Sequence, residues 1–228
     1  IRGIAKAVTG GRPIRPVLTA AENFNLALVN ADQDLDALIK RIVGGSITHN
    51  FSLCLYGPPG TGKSALVRQL AMDMEMEVMQ KRTSDLLSMW VGGTERNIAL
   101  AFEEAHEQKA FLIFDEADSL LQDRRGANRS WEVTQVNEML TWMECHPLPF
   151  ACTTNLMESL DHASLRRFTF KVKCDYLTTH QASQAFNHFF GTTPPKGIQV
   201  LTALSPGDFA VVKKKAAITG KLQDSQAL

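Results

Sequence analysis

The stretch FSLCLYGPPGTGKS, residues 51–64, decides the fold of this chain. Residues 51–56 are an apolar run typical of a short strand, and residues 57–64 fit the pattern G-x-x-x-x-G-K-[ST]. Glycines let backbone N–H groups curl around a polyphosphate, and the helix that follows presents its positive end to the same group. Because the motif lies between a predicted strand and a predicted helix, it predicts a nucleotide-binding loop rather than a chance glycine-rich turn.

Two side chains at the end of this loop have specific expected roles. Lys63 is predicted to reach the β- and γ-phosphates of the nucleotide, and the Ser64 hydroxyl is predicted to bind Mg²⁺. The whole loop is predicted to hold the nucleotide, and its residues are Gly57, Pro58, Pro59, Gly60, Thr61, Gly62, Lys63 and Ser64.

Outward from the loop, predicted strands alternate with predicted helices. Helices are expected at residues 31–43, 63–72, 94–108 and 131–144, and further strands at 77–81, 110–114, 149–153 and 168–173. The apolar character of the strands on both faces predicts an α/β fold, with a parallel sheet that helices cover on both sides. After Asp175 the pattern is helical, at 179–190 and 206–217.

This pattern divides the chain into three predicted parts. Residues 1–23 mix glycine and proline with scattered apolar residues, which is typical of an arm or a linker. Residues 24–174 are expected to form the α/β domain, and residues 175–228 a small helical appendage.

The composition argues against several classes of protein. The 228 residues carry 24 Lys+Arg and 24 Asp+Glu, and this zero net charge argues against a constitutive nucleic-acid binder, which usually has a basic excess. No apolar run in the sequence approaches the roughly 18–20 residues that a membrane span needs. The four cysteines form no CxxC pair and no Cys/His cluster, which favours reduced thiols and a cytoplasmic location.

A second motif, FLIFDEAD at residues 111–118, includes the end of a predicted strand. A carboxylate at the carboxyl end of a buried strand can hold the hydration shell of Mg²⁺, so Asp115 is predicted to bind the metal and the nucleotide. An adjacent acid can polarise the attacking water, and Glu116 is therefore the predicted general base. An Asp-Glu pair can also simply cap a helix, but its pairing with the loop at 57–64 favours hydrolysis.

Four motifs together resemble those of the AAA+ ATPases, specifically of the AAA clade. They are GPPGTGKS (Walker A), FLIFDEAD (Walker B), the strand end Thr153-Thr154-Asn155 and LDHASLRRF at residues 160–168, in the order and spacing of that family. The resemblance covers about residues 30–215. It implies a P-loop NTPase fold: a parallel five-stranded sheet in the order 5-1-4-3-2, counted along the chain, sandwiched by helices, with residues 175–228 as a helical lid.

The resemblance also implies roles for three residues outside the Walker motifs. Asn155 matches the sensor-1 position, where a polar side chain orients the lytic water; the alternative is an ordinary turn residue at a strand end. Arg166 and Arg167 match the arginine-finger positions, which reach the γ-phosphate bound by a neighbouring subunit; the alternative is two solvated surface arginines. Many members separate these arginines by Pro-Gly, whereas here they are adjacent, so which of the two is the finger is open. The candidate catalytic residues are Lys63, Glu116, Asn155, Arg166 and Arg167.

Residues 89–92, Met-Trp-Val-Gly, align with the aromatic–hydrophobic–Gly pore loop of the family. In a ring, the candidate pore loop of Trp90, Val91 and Gly92 is then expected to contact a polypeptide substrate, with Trp90 gripping it and Gly92-Gly93 supplying the backbone freedom. The alternative is that Trp90 caps the core ahead of the helix at 94–108. Residues 124–129 lie where a second pore-facing loop is expected, and a solvated loop is an equal alternative there.

The resemblance places the adenine pocket between residues 28–32 and the lid. It also identifies residues 205–209, Ser-Pro-Gly-Asp-Phe, as the start of the lid helix, without an obvious sensor-2 arginine.

The function that the resemblance implies is ATP hydrolysis, with Mg²⁺, that drives a head-to-tail ring to remodel or unfold a protein substrate. The expected ring is a hexamer of this chain. The substrate or adaptor cannot be identified from the sequence, and neither a membrane nor a nucleic acid is expected as a partner. Three alternatives were weighed: a nucleic-acid-acting AAA+ switch of the loader or initiator type, an ATP-gated interaction module, and a small-molecule P-loop kinase. The neutral charge and the aromatic loop disfavour the nucleic-acid-acting switch, and Glu116 disfavours the interaction module. The kinase is disfavoured because no acceptor-binding domain is visible between the predicted strands.

Overall fold

The computed structural model describes residues 24–45, 50–122, 130–156, 160 and 162–220. The predicted arm at 1–23, the second pore-facing loop expected at 124–129 and the last residues of the predicted lid, 221–228, lie outside the described residues.

Within the described ranges the sheet has six strands in the order β1-β6-β2-β5-β4-β3. Strands β2 to β6 pair in parallel, and their order is the predicted 5-1-4-3-2. The sixth strand, β1, was not predicted; it pairs antiparallel with β6 through Asn30 and Ala31. A strand of two residues is too short to carry a recognisable hydrophobic alternation. The strands are β1 Asn30–Ala31, β2 Ser52–Tyr56, β3 Val78–Arg82, β4 Phe111–Asp115, β5 Phe150–Thr154 and β6 Phe170–Asp175.

The longer helices lie close to their predicted positions. The first begins at Leu35 rather than at residue 31, because the Asp34 side chain accepts a hydrogen bond from the Ala37 N–H and caps it there. Two short helices, of four and six residues, were not predicted, since so few residues show no helical periodicity. The helices are α1 Leu35–Val43, α2 Lys63–Asp73, α3 Thr83–Leu86, α4 Gly93–Glu107, α5 Ser130–Cys145, α6 His162–Arg167, α7 Thr179–Phe190 and α8 Pro206–Thr219.

Strand β4 is buried on both faces, as the sequence predicts for a strand inside a covered parallel sheet. Leu112 and Phe114 belong to the core cluster that includes residues of α4 and α5. Phe111 and Ile113 belong to the cluster that includes residues of α1 and α2. The carboxyl end of this strand is therefore fixed from both sides, which positions Asp115.

The helices after β6 form a small core of their own. Phe186 of α7 and Phe209 of α8 share a buried cluster, and Leu28, which precedes β1, packs into it. The segment ahead of the sheet thus contacts the predicted lid. Of the helices in the described ranges, none has the length and hydrophobicity that crossing a bilayer requires.

Candidate functional site

The loop between β2 and α2 has a backbone that only glycine allows at its first position. Gly57 has a φ of +132°, and a Cβ there would lie 1.8 Å from the Cys174 carbonyl oxygen of β6. Gly62 has a φ of +93° and is followed directly by the first turn of α2. The loop therefore closes around the N-terminus of α2, where unpaired N–H groups favour an anion.

Lys63 folds back over this loop. Its Nζ donates hydrogen bonds to the carbonyl oxygens of Gly57 at 2.8 Å and Pro58 at 2.7 Å, and to Asn155 Oδ1 at 2.9 Å. Burial lowers the pKa of the Lys63 ammonium, while the carboxylates of Asp115 and Asp118 oppose that shift. The structure thus brings together Lys63 and Asn155, two candidate catalytic residues that are far apart in the sequence.

Ser64 and Asp115 meet at the carboxyl end of β4. The Ser64 Oγ donates to Asp115 Oδ1 at 2.7 Å, and the same carboxylate oxygen accepts from Thr153 Oγ1 at 2.5 Å. A hydroxyl and a carboxylate in contact are oxygen ligands of the kind that Mg²⁺ prefers. These donors fit the metal that the AAA+ resemblance implies.

Glu116 occupies a strained backbone position beside this pair. Its φ of 58° and ψ of 48° lie in the left-handed region, which non-glycine residues rarely adopt. Two hydrogen bonds hold it there: its N–H donates to Thr153 Oγ1 at 3.3 Å, and its carbonyl oxygen accepts from Thr83 Oγ1 at 2.6 Å. The Glu116 side chain is exposed at the edge of the site. Strain held by neighbours at such a point is a feature of functional sites.

Two adjoining cavities open at the loop, and they share Gly60, Gly62 and Ala65. The first, the polar cavity, has about 310 Å³ and a lining that includes the charged and polar residues Lys63, Ser64, Arg68, Asp115, Glu116 and Asn155. The second has about 270 Å³ and a largely apolar lining that includes Phe24, Leu28, Val29, Phe189, Pro206 and Ala210. A phosphate chain suits the polar cavity, and a heterocyclic base suits the apolar one.

The segment at residues 28–32, which the resemblance places together with the lid around the adenine, lies only in part at the apolar cavity. Leu28 and Val29 line the apolar cavity, but residues 30–32 do not. Asn30 and Ala31 form β1, and the Asp32 side chain accepts a hydrogen bond from the Lys173 N–H at 3.0 Å. Edge pairing with β6 therefore uses this segment, and Phe24, which the sequence did not single out, lines the cavity instead.

The start of α8 lies directly against the loop. The Gly207 N–H donates to the Gly60 carbonyl oxygen at 3.0 Å, and a Cβ on Gly207 would lie 3.0 Å from the Gly60 Cα. The Asp208 carboxylate bonds the Ser205 hydroxyl and N–H, which caps the helix at this point. The predicted lid and the predicted nucleotide-binding loop are thus in backbone contact.

The two candidate finger arginines have different surroundings. Arg167 forms an ion pair with Glu144 of α5, with Nε 2.6 Å from Oε1, and also donates to the Ala163 carbonyl oxygen at 2.9 Å. Arg166 is exposed, and among the described residues it has no ion-pair partner. Neither arginine lines the polar cavity of its own chain.

The loop at residues 88–94 projects three apolar side chains into solvent. Met89 is 94% exposed, Trp90 79% and Val91 96%, so Trp90 does not cap the core, which was the alternative interpretation. The base of the loop is bonded internally: the Ser88 N–H donates to Thr94 Oγ1, the Trp90 N–H to Ser88 Oγ, and the Gly93 N–H to the Trp90 carbonyl oxygen. Gly92, with a φ of +78°, turns the chain into α4.

Sequence reasoning missed several residues of the site. Thr83 donates to the Glu116 carbonyl oxygen, Gln80 donates to the Asp115 carboxylate, and Arg68 donates to Gln80. None of the three belongs to a recognised motif. Thr153 was noted only as part of a strand end. For Thr83 and Thr153 the signal was a polar side chain at a strand end, a pattern that ordinary surface residues share, and Gln80 and Arg68 carried no such signal.

Comparisons with known proteins agree with this geometry. The sequence model of the family described as "ATPase family associated with various cellular activities (AAA)" matches residues 53–176. The chain is 33% identical over 147 residues to Protein SUPPRESSOR OF K(+) TRANSPORT GROWTH DEFECT 1 of Arabidopsis thaliana, and this alignment covers 61% of the chain and 34% of that protein. It is 29% identical over 153 residues to Vacuolar protein sorting-associated protein 4 of Dictyostelium discoideum, in an alignment that covers 64% of the chain and 34% of that protein. It is 32% identical over 128 residues to Spastin of Drosophila melanogaster, and this match covers 53% of the chain and 17% of that protein. The match thus spans about a third or less of the length of these relatives.

Proposed function

Because the chain belongs to the AAA family of ATPases, we propose that it hydrolyses ATP with Mg²⁺ and uses the energy to remodel or unfold a protein substrate within a head-to-tail ring. The proposal has three parts, which are hydrolysis, assembly and substrate engagement. Different residues support each part.

Hydrolysis is supported by the cluster around the phosphate-binding loop. Lys63 and the N–H groups at the start of α2 would bind the phosphates, and Ser64 with Asp115 would hold Mg²⁺, which when bound offsets negative charge on the phosphate oxygens. Glu116 would accept a proton from the water that attacks the γ-phosphorus, and ADP would leave with the β–γ bridging oxygen. Asn155, which accepts a hydrogen bond from Lys63 at 2.9 Å, would orient that water.

Assembly is supported by the contrast between the two arginines. Since Arg167 is engaged by Glu144 and by the Ala163 carbonyl oxygen, we propose Arg166 as the finger and Arg167 as the residue that fixes the end of α6. A cation at the γ-phosphate of a neighbour stabilises the charge on the transferring group. Head-to-tail contacts of this kind close into rings, and a hexamer is the expected size.

Protein as the substrate is supported above all by the exposed Met89–Val91 loop. Three neighbouring apolar side chains in water are costly to maintain on a surface that contacts nothing, and they suit binding to a polypeptide. The internal hydrogen bonds of residues 88–94 hold these side chains outward rather than letting them fold onto the core.

The experiment that tests this proposal is ATPase stimulation by an unfolded model protein. We expect the wild-type rate to rise when the unfolded protein is added, and the Trp90→Ala variant to lose that rise. Val211→Ala is a matched control, because Val211 is another exposed apolar residue, 67% exposed, but lies on α8. Salt-sensitive stimulation by DNA, with no response to protein, would instead favour a nucleic-acid-acting switch.

We also propose that the protein works in the cytoplasm. Its four cysteines are free thiols, and three of them are buried. Burial raises the pKa of the Cys54 thiol to about 12 and that of Cys174 to about 11, which keeps both thiols protonated and unreactive. Reduced, buried thiols are usual in that compartment.

A further inference from the structure

The two oxygens of the Asp115 carboxylate are held by different neighbours. Oδ1 accepts from Thr153 Oγ1 at 2.5 Å and from Ser64 Oγ at 2.7 Å. Oδ2 accepts from Gln80 Nε2 at 2.8 Å. Gln80 lies on β3, the edge strand beside β4, and belongs to none of the motifs that the sequence presents. A residue outside the Walker motifs therefore fixes the rotation of the Asp115 carboxylate.

The Gln80 side chain is itself oriented by a third residue. Arg68 Nη1 donates to Gln80 Oε1 at 3.0 Å. A guanidinium has donors only, so the carbonyl end of the Gln80 amide faces Arg68, and its NH₂ end faces the Asp115 carboxylate. The amide thus links a cation to an anion, with each end of the amide matched to its partner.

Backbone geometry accounts for this alignment. Arg68 follows Ser64 by four residues on α2, so both side chains lie on the same side of that helix. In the parallel pair of β3 and β4, Gln80 is opposite Ile113. Ile113 lies two residues before Asp115, so these two residues are on the same face of β4. Three elements, α2, β3 and β4, therefore meet at one carboxylate.

We propose that Arg68 and Gln80 are positioning residues that hold the Asp115 carboxylate in the orientation required to bind Mg²⁺ with its nucleotide. This inference rests on the proposed function, because it assigns Asp115 to the metal. Residues that orient a metal ligand typically change metal affinity or activity by about 10- to 100-fold when they are replaced. Gln80 and Arg68 then set how strongly Mg²⁺ contributes to nucleotide binding.

Two other roles for these side chains make different predictions. Arg68 lines the polar cavity, so it could contact phosphate directly, and that contact would strengthen nucleotide binding with or without Mg²⁺. A purely structural role would lower the stability of the variant protein but not the dependence of binding on Mg²⁺. The dependence on Mg²⁺ is therefore the quantity to measure.

The test is a titration of the full chain with a fluorescent ATP analogue, at increasing Mg²⁺ and again in EDTA. We expect Gln80→Met to raise the Mg²⁺ midpoint about 10-fold or more, and to bind the analogue in EDTA as the wild type does. Gln80→Leu should raise the midpoint to a similar degree, because its side chain also has no donor for the Asp115 carboxylate. Gln69→Met is the matched control: Gln69 is next to Arg68 on α2, but its side chain donates to Asp73.

A double variant tests whether the two residues act in series. If Arg68 acts through Gln80, adding Arg68→Met to Gln80→Met should raise the Mg²⁺ midpoint little further. Folding of each variant is checked by its thermal unfolding, and Gln80→Leu, which adds no charge, serves if Gln80→Met does not fold.

Three outcomes are distinguishable. An unchanged Mg²⁺ midpoint in a folded Gln80 variant would overturn the inference and leave the proposed function standing. An equal loss of binding with Mg²⁺ and in EDTA would also overturn it, in favour of a direct contact with phosphate. If the wild type itself binds the analogue without any response to Mg²⁺, the proposed function fails first.

Discussion

In the nucleotide site, Lys63, Asp115 and Glu116 are all hydrogen-bonded to other parts of the same chain. A second region consists of Arg166 and the loop at residues 88–94. Its side chains face solvent instead: Met89, Trp90 and Val91 are largely exposed, and Arg166 is exposed at the end of α6. The first region is arranged to hold a small ligand. The second faces solvent, where it can contact another macromolecule, and this contrast supports the proposed assembly that works on a polypeptide.

The largest effect is expected at Arg166. If Arg166 acts on the nucleotide of a neighbouring subunit, Arg166→Ala should lower kcat by about 10³- to 10⁵-fold, as loss of an arginine finger does in related chemistry. Steady-state ATPase assays at a concentration where the wild type is assembled measure this. Arg167→Ala is the control, and it should mainly lose its ion pair with Glu144. Equal rates for Arg166→Ala and wild type would remove Arg166 from the reaction.

The next largest effect is expected inside the site, at Glu116. Glu116→Gln keeps the size of the side chain but removes the base, so kcat should fall by about 10²- to 10⁴-fold. Nucleotide binding should persist, because Lys63 and the loop are untouched. Single-turnover hydrolysis together with equilibrium binding separates the two quantities. A variant that hydrolyses ATP at the wild-type rate would show that another group takes the proton.

A smaller effect is expected where the lid meets the loop. Gly207→Ala would place a Cβ 3.0 Å from the Gly60 Cα, and such overpacking typically costs about 1–3 kcal/mol. If that cost applies to the conformation in which the predicted lid contacts the loop, the affinity for ADP should weaken roughly 5- to 150-fold. Gly197→Ala, at a lid position where a Cβ meets nothing within 4 Å, is the matched control. Calorimetric binding of ADP compares the two, and equal affinities would exclude a role for this contact.

The smallest effect on the chain itself is expected in the exposed loop. Trp90→Ala removes a side chain that is 79% exposed, so the free energy of unfolding should change by less than about 0.5 kcal/mol. Denaturant unfolding measures this directly. A loss of several kcal/mol would show that Trp90 stabilises the fold, and the contrast between the two regions would then no longer hold.

Much of the fold could be predicted from the sequence, because the covered parallel sheet and its helices leave strong apolar patterns. The five parallel strands and the helix at Thr179–Phe190 lie where periodicity indicated. Strand β1 could not be predicted, because its two residues are fixed by pairing with β6, which is distant in the sequence.

For the site, the sequence indicated the residues that the Walker motifs contain and missed those that support them. Asp115 and Glu116 follow from the motif. Gln80 and Thr83 do not, because their contacts depend on the register between β3 and β4 and on the left-handed turn at Glu116. Such contacts arise only when distant segments pack, and no local pattern records them.

The central claim, an active site completed by a neighbouring copy, is tested most directly by mixing two inactive variants. Arg166→Ala keeps its own Glu116, and Glu116→Gln keeps its own Arg166, so a ring containing both would hold some sites with both groups intact. We predict that the mixture hydrolyses ATP well above the sum of the separate variants, and that dilution below assembly abolishes the gain. A mixture with no more activity than that sum would contradict a shared site.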